Sequence, residues 1–584
     1  MCIRDSNYTY RKNVRKKEKK YQTNREGKVL ILPIDKDGRD YLSFDLTIDK
    51  DELSSSGMSV YHYNVQEYDA RERTHFFTDR AIYRPGQTVY FKGILMESKG
   101  NEYQVKANSR QRVELMDANY QEVSSRNLIT NDFGSFSGSF IIPQGRMNGR
   151  FQIQTTTGSV SIRVEEYKRP KFEVKIDPFK GDYQLNDSIK VSGQAKALAG
   201  NNITDAKVVY RVVRKANWSW WRWSPNVSAS REIAQGTMTT DASGKYDLSF
   251  IAFPDNAYPT SGDPTFTYEV FIDVTDISGE TRSTSSSVTI GYKSLVLSID
   301  IPEQLEKTKE ATFTLTTNNL NGVFLPSQGK IEINKLKDPA VPFTSSLWGF
   351  PDQPILLKEE YRKHFPLSAY GDEKEYSHWV VEQTVLSQSF DTEKSKVVKL
   401  KKLNKWKQGV YQITLKSSDK YGKEVIKKKY VVLYERKSKS LPFATQEWLV
   451  PLQGKVEPGQ KAAFLIGSSL NQQVLVEVEH DDQIIKSYWL TLNKEQKLVE
   501  FPVEERYRGN FVVHFTYTKE NRSHTLTETV QVPFTNKHLS IQFETFRDTL
   551  LPGNKEEWRF KLEGQEGDKV TAAFVATLYD ASLE

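Results

Sequence analysis

A Pro-Gly turn followed by an alternating strand constrains the fold of this chain more than any other feature. It is clearest in residues 78–93, which read TDRAIYRPGQTVYFKG. Pro85 fixes φ at about −65° and Gly86 tolerates positive φ, so the pair fits the two central positions of a type II turn. Val89 and Phe91 then alternate with polar neighbours, which predicts a strand with one apolar face.

The same pattern recurs along the chain. Tyr83, Gly86, Phe91 and Gly93 are each matched by a residue of comparable role 100 positions later, in the turn around Asn186. Weaker copies of the turn are predicted near Thr308, Gly459 and Gly553. Repetition at this period is typical of a string of similar modules rather than one large core.

Length and composition favour several all-β domains. The 584 residues exceed what one hydrophobic core supports and predict roughly four to six domains. Aromatic residues make up 12% of the chain, and long Ala- and Leu-rich runs are scarce, which favours strands over helices. We therefore predict a tandem array of antiparallel β-sandwich domains, each with seven strands in about 100 residues.

The turns and closing hairpins divide the chain into predicted segments. Residues 1–70 form the remnant of a preceding β domain, with a basic N-terminal tail at residues 11–20 that has no strand or helix signal. Sandwich domains follow at residues 71–166, 167–292, 293–437 and 438–535. The third carries an insertion at about residues 339–390, with a short helix at 358–365. Residues 536–584 start a further, truncated domain, so we expect a fragment of a longer protein.

Charge and cysteine content exclude several classes of protein. A net charge of +7 over 82 basic and 75 acidic side chains is a mild excess, not the concentrated patch of a nucleic-acid-binding protein. The single cysteine, Cys2, allows no intrachain disulfide and no Cys-rich metal site. No apolar run approaches the ~18–20 residues of a membrane span, and residues 1–21 lack the apolar core of a signal peptide.

No pattern in the sequence predicts catalysis. The eight histidines are scattered, and none forms the His-Glu-x-x-His spacing of a zinc site. A Gly-rich phosphate loop and a Gly-x-Ser-x-Gly nucleophile turn are also missing. We interpret the adjacent carboxylates Asp481 and Asp482 as a solvated turn. The prediction is a chain that is not an enzyme, with no catalytic, cofactor-binding or metal-binding residues and no cofactor.

One aromatic cluster is a candidate partner contact. Trp218, Trp220, Trp221 and Trp223 place four indoles within six residues, enough aromatic surface to stack on sugars or to dock a partner. Alternate tryptophans of a strand also pack readily against a neighbouring domain. We favour packing and keep partner contact as the alternative.

Three segments resemble a known family. Residues 78–89 are similar to the signature that opens the second macroglobulin-like domain of the alpha-2-macroglobulin family, in its bacterial branch. Residues 164–174 resemble the junction into the third such domain, and residues 274–281 resemble the closing hairpin of that domain. The implied fold is a macroglobulin or fibronectin type III-like sandwich. The family-motif residues, with an expected structural role, are Asp79, Arg80, Tyr83, Arg84, Pro85 and Gly86.

The resemblance implies the N-terminal scaffold portion of an envelope protein that inhibits or traps proteases. In this family a protease cuts an exposed bait segment, the molecule rearranges, and a Cys-Gln thioester in a separate domain can bond the attacker. Cys2 precedes Ile3-Arg4-Asp5, so this chain contains no thioester motif. We therefore expect the bait and any thioester domain to lie downstream of Glu584.

The resemblance also implies partners and a location. Target proteases are the expected partners, through parts outside this fragment, and envelope or peptidoglycan-associated proteins are further candidates. A membrane is expected as a partner only through an anchor that is missing here. The expected location is the periplasm or the outer cell surface. The alternative function is a surface adhesin or carbohydrate-binding array built from the same type of module.

Overall fold

The computed structural model describes most of the chain. The described residues are 2–8, 15–24, 29, 38–48, 51–54, 58–62, 70–99, 102–166, 171–198, 200–217, 230–307, 310–344, 349–351, 353–519, 522–545, 547, 549, 551, 553–564 and 574–577. They belong to two compact units. One unit comprises Met1–Lys168, Thr518–His524 and Phe534–Glu584, and the other Arg169–Tyr517 and Thr525–Pro533.

The first sheet precedes the opening turn. Its strands are β1 (Cys2–Tyr8), β2 (Arg15–Gln22), β3 (Gly38–Ile48), β4 (Asp51–Ser54) and β5 (Met58–His62). β1 lies between β2 and β3, while β4 and β5 pair with β3. The prediction of a basic tail without secondary structure was wrong for residues 15–20. Backbone pairing with β1, rather than an apolar pattern, makes this lysine-rich segment a strand.

Two sheets then enclose the core of the first sandwich. The strands are β6 (Arg71–Thr78), β7 (Ile82–Tyr83), β8 (Thr88–Lys99), β9 (Glu102–Val105), β10 (Arg110–Met116), β11 (Glu122–Ile129), β12 (Ser135–Ile141), β13 (Gly149–Thr155) and β14 (Gly158–Val164). One sheet has the order β11-β10-β13-β14-β7 and the other β12-β8-β6, with β9 paired to β8. Val89 and Phe91 of β8 share one core with Phe151 of β13, as their alternation predicted.

Three further sandwiches repeat this plan. The second contains β15 (Phe172–Ile176), β16 (Ser188–Ala197), β17 (Lys207–Asn217), β18 (Arg231–Thr239), β19 (Lys245–Ile251), β20 (Thr265–Thr275) and β21 (Thr281–Gly291). The third contains β22 (Leu295–Asp300), β23 (Gln304–Glu306), β24 (Glu310–Asn319), β25 (Gln328–Leu336), β26 (Val381–Asp391), β27 (Val397–Lys401), β28 (Gly409–Ser418) and β29 (Glu424–Tyr434). The fourth contains β30 (Trp448–Pro451), β31 (Lys461–Gly467), β32 (Asn471–His480), β33 (Gln483–Asn493), β34 (Gln496–Pro502), β35 (Phe511–Lys519) and β36 (Arg522–Val530).

Each of these sandwiches packs a three-stranded sheet on a larger one. The paired sheets are β15-β16-β19 with β18-β17-β20-β21, β22-β24-β27 with β23-β29-β28-β25-β26, and β30-β31-β34 with β33-β32-β35-β36. The predicted all-β fold is confirmed. The second and fourth sandwiches have the predicted seven strands, whereas the short strands β7, β9 and β23 enlarge the first and third. A last pair, β37 (Ser540–Thr545) and β38 (Arg559–Glu563), follows the fourth sandwich.

The insertion of the third sandwich lies between β25 and β26. It contains α1 (Lys358–His364), which confirms the short helix predicted there. Two acidic residues in the first turn and basic residues in the last turn suit the helix dipole. No helix within the described ranges is long and apolar enough to span a membrane.

Two glycines 100 positions apart have the same packing role. Gly93 is paired in register with Phe136, and Gly193 with Tyr246. A Cβ atom on Gly93 would lie 2.2 Å from the Phe136 ring, and one on Gly193 would lie 2.2 Å from the Tyr246 hydroxyl. In both of these sandwiches a cross-strand aromatic ring therefore covers the glycine and leaves no room for a side chain there.

Candidate functional site

The family-motif residues surround the turn that opens the first sandwich. The buried Tyr83 hydroxyl donates a hydrogen bond to Asp79 Oδ1 (2.6 Å) and accepts one from the Arg80 backbone N–H (2.9 Å). Asp79 Oδ1 also accepts the Tyr90 backbone N–H (2.8 Å), and Arg80 Nε donates to Asp79 Oδ2 (3.1 Å). Burial, together with the bond to Asp79, holds the pKa of Tyr83 far above its ordinary value of 10.0. One carboxylate thus joins the segment before the turn to the strand after it.

The turn itself has the predicted geometry. Gly86 has φ +85°, and the Gln87 N–H donates to the Arg84 carbonyl (3.1 Å), as in a type II turn. The Gly86 N–H donates to the Ile142 carbonyl, and the Gln87 carbonyl accepts the Ile142 N–H, each at 2.8 Å. These two bonds join the turn to the end of β12. The Gln87 side chain also accepts the Arg84 N–H (2.9 Å). These residues form a rigid corner, with no nucleophile or acid–base pair among them.

Two of the predicted copies have the same arrangement. Asn186 has φ +72° and Gly459 has φ +87°. Asn186 donates its backbone N–H to the Ala252 carbonyl (3.0 Å), and Gly459 donates to the Val503 carbonyl (2.8 Å), in the manner of Gly86. The predicted turns at Asn186 and Gly459 are therefore confirmed.

Of the remaining predicted features, the structure describes the turn at Gly553 but not the turn at Thr308 or the tryptophan cluster. Gly553 has the positive φ expected for its turn, +81°. The predicted turn at Thr308 and the whole tryptophan cluster lie outside the described residues. The cluster comprises Trp218, Trp220, Trp221 and Trp223. Its packing against a neighbouring domain, and the alternative of contact with a partner, both remain predictions.

A polar joint connects the second and third sandwiches. Tyr421, in the turn between β28 and β29, donates its hydroxyl hydrogen to Asp187 Oδ2 at 2.5 Å, beside the opening turn of the second sandwich. Lys420 bonds the Asp182 backbone carbonyl. Burial, followed by the bond to Asp187, raises the pKa of Tyr421 above its ordinary value. Sequence reasoning missed this joint, for which the one available signal was an aromatic residue within an Asp-x-x-Gly hairpin turn.

An aromatic joint connects the third and fourth sandwiches. Tyr376 and Trp379, from the insertion, pack their rings on Phe443 with centroids 5.8 and 5.9 Å away. Phe443 in turn packs on Trp448 of β30 at 6.1 Å. Trp448 is almost fully buried, and its Nε1 donates to Gln496 Oε1 at 2.8 Å. The insertion is thus an integral part of the joint, which its sequence alone did not indicate.

The described residues offer little for catalysis. They contain no group of three or more His, Cys, Asp or Glu side chains arranged to hold a metal ion. One relay has the connectivity of a catalytic triad: His514 bonds Glu479 through Nε2 (2.7 Å) and Thr527 through Nδ1 (3.0 Å). These side chains lie across the neighbouring strands β32, β35 and β36, whose backbone groups pair within the sheet. The relay fits a cross-strand polar ladder.

Two family models match parts of the chain. The MG2 domain model matches residues 73–175, which include the whole hydrogen-bond network around Tyr83. A second model, the Alpha-2-macroglobulin bait region domain, matches residues 447–577. Both models describe domains of the alpha-2-macroglobulin family. The resemblance recognised in the sequence is therefore confirmed. The match to the bait region domain begins inside the chain, whereas we expected the bait to lie downstream of Glu584.

The curated relatives are bacterial and much longer. The alpha-2-macroglobulin of Thermotoga maritima is 28% identical over 182 residues, which cover 30% of this chain and 11% of that protein. The alpha-2-macroglobulin homolog of a Nostoc species is 24% identical over 254 residues, which cover 39% of this chain and 13% of that protein. The aligned parts thus amount to roughly an eighth of each relative.

Solved structures of two alpha-2-macroglobulins align with most of the chain. Trypsin-activated alpha-2-macroglobulin from Escherichia coli is 12% identical with a TM-score of 0.44, over 90% of this chain and 35% of that one. Salmonella alpha-2-macroglobulin reacted with methylamine is 11% identical with a TM-score of 0.39, over 97% of this chain and 36% of that one. The chain therefore spans about a third of each solved neighbour.

Proposed function

We propose that this chain is the non-catalytic scaffold portion of an alpha-2-macroglobulin-like protease inhibitor of the bacterial cell envelope. The observation that carries the proposal is the order of the two family matches, an MG2 domain at residues 73–175 and then a bait region domain at residues 447–577. In this family the bait is the segment that an attacking protease cuts. Because the match to the bait region domain begins near residue 447, we expect the bait segment to follow the fourth sandwich.

The construction of the sandwiches supports a scaffold role. Their backbones are paired in sheets around closed cores, and such segments open rarely and resist proteolysis. The joint at Tyr421 and the joint at Trp448 give consecutive sandwiches defined side-chain partners. A protease is then directed to a segment outside the sheets. We place the bait C-terminal to β36, and any thioester domain downstream of Glu584.

The proposal includes partners, location and domain limits. The partners are target proteases, engaged through the segment C-terminal to β36, and envelope or peptidoglycan-associated proteins are further candidates. The location is the periplasm or the outer cell surface, with any membrane contact made through an anchor. The domain limits are those drawn from the sequence, at residues 71–166, 167–292, 293–437 and 438–535.

The test uses the full-length protein mixed with a roughly equal amount of trypsin. Protease activity is then measured on casein and on a small chromogenic peptide. We expect casein hydrolysis to fall while peptide hydrolysis persists, because an enclosed protease still admits small substrates. The control is inhibitor that another protease has already cut, with that protease removed before trypsin is added. It should no longer protect casein. Undiminished casein hydrolysis by trypsin that has cut the intact inhibitor would contradict the proposal.

A further inference from the structure

A cavity of about 330 Å³ lies at the aromatic joint between the third and fourth sandwiches. This volume is at the lower end of the ~300–1,000 Å³ typical of small-molecule sites, so it suits one side chain or one small molecule. Four aromatic side chains and two carboxylates line it: Tyr376, Tyr430, Phe443, Trp448, Glu303 and Glu447.

The aromatic walls are held in place before any ligand binds. The Tyr430 hydroxyl accepts a hydrogen bond from Gln412 Nε2 (3.1 Å), and Trp448 is fixed through its Nε1. The Tyr376 ring packs against Trp379 at 4.9 Å and against Tyr430 at 6.1 Å. Ring positions fixed by packing and hydrogen bonds reduce the entropy that a ligand must lose on binding.

The two carboxylates differ in their partners. Burial raises the pKa of Tyr517, and the negative charge of the neighbouring Glu447 carboxylate raises it further. Glu303 is held through its backbone carbonyl, which accepts the Val432 N–H at 2.8 Å. Its side chain makes no ion pair or hydrogen bond with any residue that the structure describes. Glu303 lies near the Tyr376 phenol, which feels its negative charge. Glu303 is thus an exposed carboxylate lining the cavity, and it has no cationic counterpart among the described residues.

This lining favours one class of ligand. An anion would be repelled by Glu303 and Glu447, and a neutral apolar group would bury the carboxylate without compensation. A cation gains from both features, because aromatic faces within about 6 Å attract positive charge and a carboxylate pairs with it.

We infer that the cavity between the third and fourth sandwiches binds a single organic cation, an alkylammonium or guanidinium group, against Glu303 and the surrounding aromatic faces. The group can belong to a lysine or arginine side chain of a polypeptide or to a free amine, which offer the same chemistry. The inference goes beyond the scaffold role, because it gives the joint a ligand of its own. It does not depend on the protease trap.

The test measures binding of two matched probes to the whole chain by ligand-observed NMR. N-acetyl-lysine methylamide carries the cation, and N-acetyl-norleucine methylamide is its neutral counterpart. We expect the lysine probe to bind with a Kd on the order of 1 mM and the norleucine probe to bind at least about tenfold more weakly. Glu303→Gln should weaken lysine binding about tenfold or more without unfolding the protein, because this side chain has no described partner.

Glu306→Gln is the matched control, since Glu306 is an exposed carboxylate three residues further along the chain, at the end of β23, that does not line the cavity. It should leave lysine binding unchanged.

A short peptide with one central lysine identifies the source of the cation: tighter binding than the free probe favours a polypeptide, and equal binding favours a free amine. Equal binding of lysine and norleucine, unchanged binding by Glu303→Gln, or no binding of any probe would overturn the inference.

Discussion

At the scale of single residues, the hydroxyl of Tyr83 is the centre of the opening corner. It bonds Asp79 and the Arg80 backbone from a fully buried position. A buried polar group that loses its partner costs more than the bond itself contributes, so the corner is sensitive to small changes.

Tyr83→Phe should therefore destabilise the first sandwich by about 1–2 kcal/mol, because the Arg80 N–H loses its acceptor and Asp79 loses a donor. The measurement is hydrogen exchange by mass spectrometry on peptides from residues 79–93 of the whole chain. Tyr90→Phe is the control, since the Tyr90 side chain is exposed and only its backbone joins the network. Equal protection in both variants would argue against a structural role for the motif.

Gly193 is constrained by contact rather than by backbone conformation. A Cβ atom there would lie 2.2 Å from the Tyr246 hydroxyl and 2.4 Å from the Lys175 carbonyl oxygen. Gly193→Ala should cost about 1–3 kcal/mol in the free energy of unfolding of the second sandwich. Gly454→Ala, where the added atom meets nothing within 4 Å, should cost far less. Protease sensitivity of the second sandwich in the two variants checks the difference.

Some of these residue roles were predictable from the sequence and others were not. Pro85 and Gly86 predicted their turn because proline and glycine act through local backbone geometry. Gly193 could be aligned with Gly93, but the aromatic ring above it comes from a strand some 50 residues away. The aromatic rings that surround the cavity beside Glu303 come from distant segments, and no local pattern records such tertiary contacts.

At the scale of elements, the hairpins and turns were the most predictable parts because their signals are periodic. The strand β2 was not, since it lacks an apolar face and forms by pairing with β1. The joints were missed for a related reason. Tyr421 resembles any turn tyrosine until the second sandwich is placed beside it, and the sequence of the insertion gives no sign that it packs on Phe443.

The joint at Tyr421 can be tested with a double-mutant cycle. Tyr421→Phe and Asp187→Asn should each destabilise the second and third sandwiches, and the double variant should lose less than the sum, with a coupling energy of about 1–3 kcal/mol. Chemical denaturation of the whole chain gives the values. Tyr421→Phe combined with Lys461→Ala, a change at an exposed ion pair of the fourth sandwich, should be additive. If the effects of Tyr421→Phe and Asp187→Asn are additive, the hydrogen bond between these side chains does not stabilise the joint.

At the scale of the whole molecule, buried tyrosines set a limit on stability at high pH. Burial is the largest cause of a raised pKa in each of Tyr83, Tyr246, Tyr268, Tyr411, Tyr421 and Tyr517. Their folded-state pKa values lie above the unfolded value of about 10. Their contribution to stability is therefore complete below pH 10 and is lost as the pH rises through the folded values.

Alkaline titration should show this directly. The free energy of unfolding should vary little with tyrosine ionisation up to about pH 9 and fall steeply above about pH 10. Tyrosinate absorbance of the buried residues should appear together with the loss of the β-sheet circular dichroism signal. Full tyrosine ionisation near pH 10 with the sheets intact would contradict the burial described.

The central claim is that the sandwiches form a protease-resistant scaffold leading to a segment that proteases cut. The most direct measurement maps the earliest cleavage sites in the full-length protein by mass spectrometry, under brief exposure to trypsin and, separately, to elastase. We expect the first cuts of both proteases to lie C-terminal to β36, close together, while the strands from β6 to β36 remain uncut. First cuts within those strands, or cuts spread evenly along the chain, would contradict the claim.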